Sequence, residues 1–181
     1  MGITEFVSLE LKHPHTLSSP PPHFISLLQR LSAEQSAHSG YPLLFFTDAE
    51  HPLSLHLISG WTDVPTHEAW IATAQNQQLL INFADFIEIK GLMHLDINFD
   101  TLPVKDRGIL CEKYRQSEVA EDNRTAKTEE LAEAGWTIWA RNLEPSAEDV
   151  MVRFKAFAET KTLRVLESGG GKEVHVLMRF M

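Results

Sequence analysis

Residues 3 to 99 pass twice from strand-like alternation to helical spacing and back, and this constrains the folds open to the chain more than any other feature. Residues 3 to 12, ITEFVSLELK, alternate and are rich in β-formers, which predicts a strand. The proline-rich run HPHTLSSPPP predicts a loop. Pro22 then opens a helix on which Phe24, Leu27, Leu28 and Leu31 make one apolar stripe, and Gly40 and Pro42 end it. PLLFFT at 42 to 47 and LSLHLISG at 53 to 60 read as two strands of a hairpin. Asp63 is placed to cap a helix with Pro65 in its first turn, and a second helical run, QNQQLLINFADF, follows. IKGLMHLDINF at 89 to 99 is the next strand.

The resulting order, β-α-β-β-α-β, is the split β-α-β or ferredoxin-like plan, in the α+β class. After residue 100 the signals weaken. Residues 105 to 134 are charged and read as helical. GWTIWARNL at 135 to 143 reads as a strand. A helix is expected after Pro145, with Val150, Phe154, Phe157 and Ala158 as its apolar face. Two strands, at 162 to 167 and 173 to 180, are expected to flank SGGGK, which lacks phosphate-loop spacing and reads as a hairpin turn. The organisation expected is a ferredoxin-like unit over 1–100, a connecting helical segment over 101–134 and a degenerate second half over 135–181.

The formal charge of −9 comes with no dense run of Lys or Arg. Phosphate backbones demand clustered cations, so nucleic acid is not an expected partner. The lone cysteine, Cys111, excludes an internal disulfide and a cysteine-based zinc site, and it reads as an inert thiol on an exposed helix. No apolar run is long enough for a membrane helix. MGITEFVSLELK has neither a signal-peptide pattern nor, with Phe6 in place of Ser or Thr, a myristoylation motif. A cytoplasmic protein is therefore expected.

The run SGW at 59 to 61, then Asp63, then His67-Glu68-Ala69-Trp70, followed by a strand with Gly91 and His94-Leu95-Asp96, resembles the dimeric α/β-barrel superfamily. In particular it is similar to antibiotic biosynthesis monooxygenase-like proteins of fungal type. The resemblance covers residues 3 to 99 well and 135 to 181 loosely. It implies two four-stranded sheets face to face with helices outside, supplied by two chains or by a tandem repeat. Here it implies a pseudo-barrel within one chain, with homodimerisation left open. It also implies cofactor-free chemistry on a small apolar, oxygenated or aromatic molecule of the secondary-metabolite type. That chemistry is either oxygenation or proton-transfer chemistry such as cyclisation, dehydration or isomerisation.

Strand periodicity nominates the site. Leu92, His94, Asp96 and Asn98 share one face of their strand, and Met93, Leu95, Ile97 and Phe99 the other. The apolar face is expected on the helices and the polar face toward the barrel interior. A histidine beside a carboxylate is the minimal acid–base pair. His94 is therefore the expected base, Asp96 its orienting partner, and His67 a donor beside them. Trp61, Trp70, Tyr41, Trp136, His56 and Asn98 are expected to line a substrate pocket. The competing readings are a solvated strand face for His94 and Asp96 and a packing role for His67. His13, His15 and His23 lie in a loop without a nearby carboxylate, so neither a metal nor another cofactor is expected. No HExxH, GxSxG, GxGxxG or CxxC motif occurs. The alternative to an enzyme is a non-catalytic small-molecule-binding or stress-response barrel.

Overall fold

A computed structural model describes residues 2–102, 108–115, 136–145, 150–157 and 173–181. The elements are β1 (Ile3–Leu11), α1 (Pro22–Ser39), β2 (Leu44–Asp48), β3 (Ser54–Trp61), α2 (Val64–Ile71), α3 (Ala74–Phe83), β4 (Ile87–Leu95), β5 (Gly108–Arg115), β6 (Trp136–Arg141), β7 (Val150–Phe157) and β8 (Glu173–Arg179). The strands form one eight-stranded antiparallel sheet in the order β4-β1-β3-β2-β8-β5-β7-β6. β1 to β4 lie in the order 4-1-3-2, and β5 to β8 repeat it as 8-5-7-6. β2 pairs with β8 and joins the two sets.

The sheet also curls until its two outer strands meet. Leu95 bridges Asn142, the Asp96 amide donates to the Arg141 carbonyl, and the Leu143 amide donates to the His94 carbonyl. The two outer strands meet at this one end, and both belong to one chain.

Local sequence explains the helix ends. Gly40 takes a left-handed conformation (φ 78°), and its amide returns to the Ser36 carbonyl, so α1 stops there. The Asp63 carboxylate accepts from the Thr66 amide at 2.8 Å and starts α2.

Each strand face has its own core. Val7, Leu9, Leu57 and Trp61 pack against Phe24 and Leu28 of α1, Trp70 of α2 and Leu79 of α3. Phe6, Phe46, Ile58, Ile109, Phe154 and Leu177 fill the inside of the barrel without any helix residue. Leu95, Ile97 and Phe99 belong to this inner core, whereas Leu92 packs on the helix side. The expected orientation of the 92–99 stretch is therefore inverted. Both faces of such a sheet are covered, so an apolar stripe does not reveal which layer covers it.

Two further expectations are corrected. Gly108–Arg115 is strand β5 where a helix was expected, and Cys111 is buried on its inner face rather than exposed. Burial pushes the Cys111 thiol well above its ordinary range. Val150–Phe157 is strand β7, not a helix. Its Val150, Val152 and Phe154 alternate with Met151, Arg153 and Lys155, a period of two that overlaps helical spacing in so short a run. The expected strand at 162 to 167 and the SGGGK turn lie outside the described residues. Among the described residues no helix is long and apolar enough to cross a membrane.

Candidate functional site: a buried Glu–His–His–Glu chain

β1 carries a carboxylate where an apolar residue would be expected. Ile3, Val7, Leu9 and Leu11 point toward the helices, and Glu5 shares their parity. A buried carboxylate is costly unless it is paired and hydrogen-bonded. Glu5 has partners from three elements. Trp61 Nε1 at the end of β3 donates to Glu5 Oε2 at 2.8 Å, and Gln35 Nε2 of α1 donates to the same oxygen at 2.8 Å. His67 Nε2 of α2 stands 3.2 Å from the other oxygen, Oε1. Burial pushes the Glu5 carboxyl up, but His67, Trp61 and Gln35 together outweigh it and hold the carboxyl below its ordinary value.

From Glu5 the chain of polar contacts continues outward. The His67 ring lies 4.5 Å from the Trp61 ring, centroid to centroid, which fixes its orientation. Its Nδ1 meets His94 Nε2 at 2.6 Å. His94 Nδ1 then meets Glu144 Oε1, in the segment that follows β6. Both imidazoles are buried, but the Glu144 side chain is 31% exposed. The line Glu5–His67–His94–Glu144 thus runs from the core to the surface. Glu5 and His94 are direct neighbours across the β1–β4 ladder, and α2 sets His67 against both.

The chain has three junctions and needs one proton in each. Two neutral imidazoles supply only two. With those protons directed toward Glu5, His94 Nδ1 faces Glu144 lone pair to lone pair. A third proton fills that junction and places one positive charge between two carboxylates. Such an arrangement can take up a proton at its exposed end.

His67 and His94, named from the sequence, are thus brought together, although on the helix side rather than inside the barrel. Asp96 is not the partner of His94. Its Oδ1 accepts from the Arg141 amide at 2.5 Å, and it ties the end of β4 to the end of β6. Residue 96 lies beyond the last residue of β4, where the chain engages the barrel closure, so the strand parity that linked it to His94 no longer applies.

Trp61 belongs to the chain as a donor to Glu5. Trp70 is a core residue 5.3 Å from the His38 ring. Tyr41 lies over Gly60, where a Cβ would stand 2.5 Å from the tyrosine Cγ, and meets Phe99 edge-on. Asn98 accepts from the Asp100 amide and starts a short turn. His56 lies inside the barrel, on the other face of the sheet from His67 and His94. The Trp136 side chain lies outside the described residues.

Glu5 and Glu144 were missed. Glu5 left a signal, a lone charge within an apolar stripe of β1. Glu144 left none, because only barrel closure carries it to His94.

No family model matches the chain, and no curated protein sequence matches it. Solved structures do. A candidate monooxygenase from Fusobacterium nucleatum aligns over 99% of this chain and 93% of its own, at TM-score 0.61 and 11% identity. An anthrone oxidase-like protein aligns over 98% and 91%, at TM-score 0.62 and 9% identity. A candidate chlorite dismutase aligns over 98% and 93%, at TM-score 0.61 and 9% identity. The fold is the ferredoxin-like α/β barrel. Identities this low speak for the fold alone.

Proposed function

We infer that the chain is an enzyme that removes an acidic proton from a small apolar, oxygenated or aromatic molecule without a bound cofactor. The observation that carries this reading is the buried Glu5–His67–His94–Glu144 line with its exposed end at Glu144. Glu144 takes the proton from the substrate and passes it to His94 Nδ1, the base on which it comes to rest, and Glu5, through His67, balances the imidazolium charge. The deprotonated substrate then either reacts with O₂ or rearranges by cyclisation, dehydration or isomerisation. In the oxygenation route an acidic methylene becomes a carbonyl, and the second oxygen atom leaves as water. The names of the structural neighbours, two of them monooxygenase-like or oxidase-like, support the oxygenation route.

The test is a screen of acidic polycyclic phenols and anthrone-like molecules, with and without O₂ and in the presence of a chelator. Substrate loss and oxygen uptake are both followed. Wild-type protein is expected to turn over a member of this class, and His94→Gln to lose about 10²–10⁴-fold in kcat, the usual contribution of a positioned base. Glu144→Gln should slow the same step while leaving the fold intact. Equal rates in wild type and His94→Gln, or saturable binding without turnover, would instead favour a binding barrel.

A further inference from the structure

Inside the barrel, on the other face of the sheet, three buried side chains converge from three strands. They are Asp48 at the end of β2, His56 in β3 and His175 in β8, and one donor atom of each lies within 4.8 Å of the others. Asp48 Oδ2 lies 2.8 Å from His175 Nδ1 and 3.7 Å from His56 Nε2. Donors bound to zinc at about 2.0–2.1 Å in a tetrahedron lie about 3.3 Å apart, between these two separations.

The decisive atom is His56 Nε2. The residue is 1% exposed, and this nitrogen has no hydrogen-bond partner among the described residues. The 3.7 Å to Asp48 is too long for a hydrogen bond. Native structures rarely leave a buried ring nitrogen unpaired, and this one points at a carboxylate and a second imidazole.

The surroundings are those of a metal site. His56 Nδ1 pairs with Ser8 Oγ at 3.2 Å, and the ring stacks on Phe6, which together fix its orientation. His175 Nε2 pairs with Glu173 Oε1 at 2.7 Å, leaving Nδ1 to face Asp48. A carboxylate behind a ligating histidine is the usual way to set its tautomer. Asp48 Oδ1 accepts from the Glu50 amide at 3.0 Å, which fixes the carboxylate beside the two imidazoles. Lys113 pairs with Glu173 at 2.9 Å.

We propose that Asp48, His56 and His175 form a binding site for one divalent transition-metal ion inside the barrel. Two imidazoles and a carboxylate suit zinc or iron(II) better than magnesium or calcium. In the metal-free protein the proton shared by His175 and Asp48 takes the place of the ion. The site lies across the sheet from His67 and His94 and shares no residue with them, so either assignment can fail without the other.

The experiment is a calorimetric titration of chelator-treated full-length protein with zinc, repeated with Mg²⁺. Saturable binding of one Zn²⁺, with no comparable Mg²⁺ binding, is expected. His56→Gln should weaken zinc at least about 100-fold, and Ser8→Ala about tenfold through lost orientation. Because buried substitutions can unfold the protein, the zinc-induced rise in melting temperature is measured as well. It should be present in wild type and in a His13→Gln/His15→Gln/His23→Gln control, and absent in a folded His56→Gln variant. Failure of wild type to bind zinc, or binding that survives His56→Gln and disappears in the loop control, overturns the proposal.

Discussion

Two polar clusters occupy opposite faces of one sheet, and they differ in how their imidazole nitrogens are used. On the helix side, all four ring nitrogens of His67 and His94 have a partner, from Glu5 to Glu144. Inside the barrel, one nitrogen of His56 is left over. A filled chain with an exposed carboxylate at one end can pass a proton. A converging set with an orphaned ring nitrogen can hold a cation. The same residue types on the same scaffold thus point to different chemistry, because hydrogen-bond saturation differs.

This contrast can be broken or sharpened by substitution. Glu5 is predicted to matter most for stability. Glu5→Ala leaves Trp61, Gln35 and His67 facing a void, and denaturant unfolding should show a loss of about 3–5 kcal/mol. Glu5→Gln keeps an acceptor and should cost clearly less, so equal losses would mean that the carboxylate charge is not what the core is built around. Next in size is Gly60→Ala. Its Cβ would press on Tyr41 and on the Phe99 Cβ at 2.7 Å, and overpacking of this kind costs about 1–3 kcal/mol.

Acid should weaken both clusters. Glu5, Asp48 and Glu173 all have lowered carboxyl values in the fold, Glu173 down to about 2. A lowered folded value means that the unfolded chain takes up the proton first. The stability these groups confer is complete above about pH 4.5 and is lost as pH falls toward 2. Glu173→Gln removes its share, so its stability should fall less steeply than that of wild type between pH 4.5 and 2. Parallel acid limbs would show that Glu173 is not held by His175 and Lys113.

The legibility of the sequence followed the same division. Order and type were plain for residues 3 to 99, because each element there has a clean period and a recognisable end, such as Pro22, Gly40 or Asp63. β5 and β7 were misread because short strands with charged residues on one face share spacings with helices. His67 and His94 were legible as a pair of candidates from their places on α2 and β4.

The sequence by itself determined the ferredoxin-like order, through periodicity and capping that act within a few residues. Tertiary structure alone decided which face of each strand is the core and which residues meet. Glu144 reaches His94 across fifty positions, and His175 reaches Asp48 across 127. Barrel closure makes the first contact and β2–β8 pairing the second, and no local rule encodes either. The physical reason is that a side chain's partner is set by the register of strands distant in sequence, whereas its own conformation is set by its neighbours in the chain.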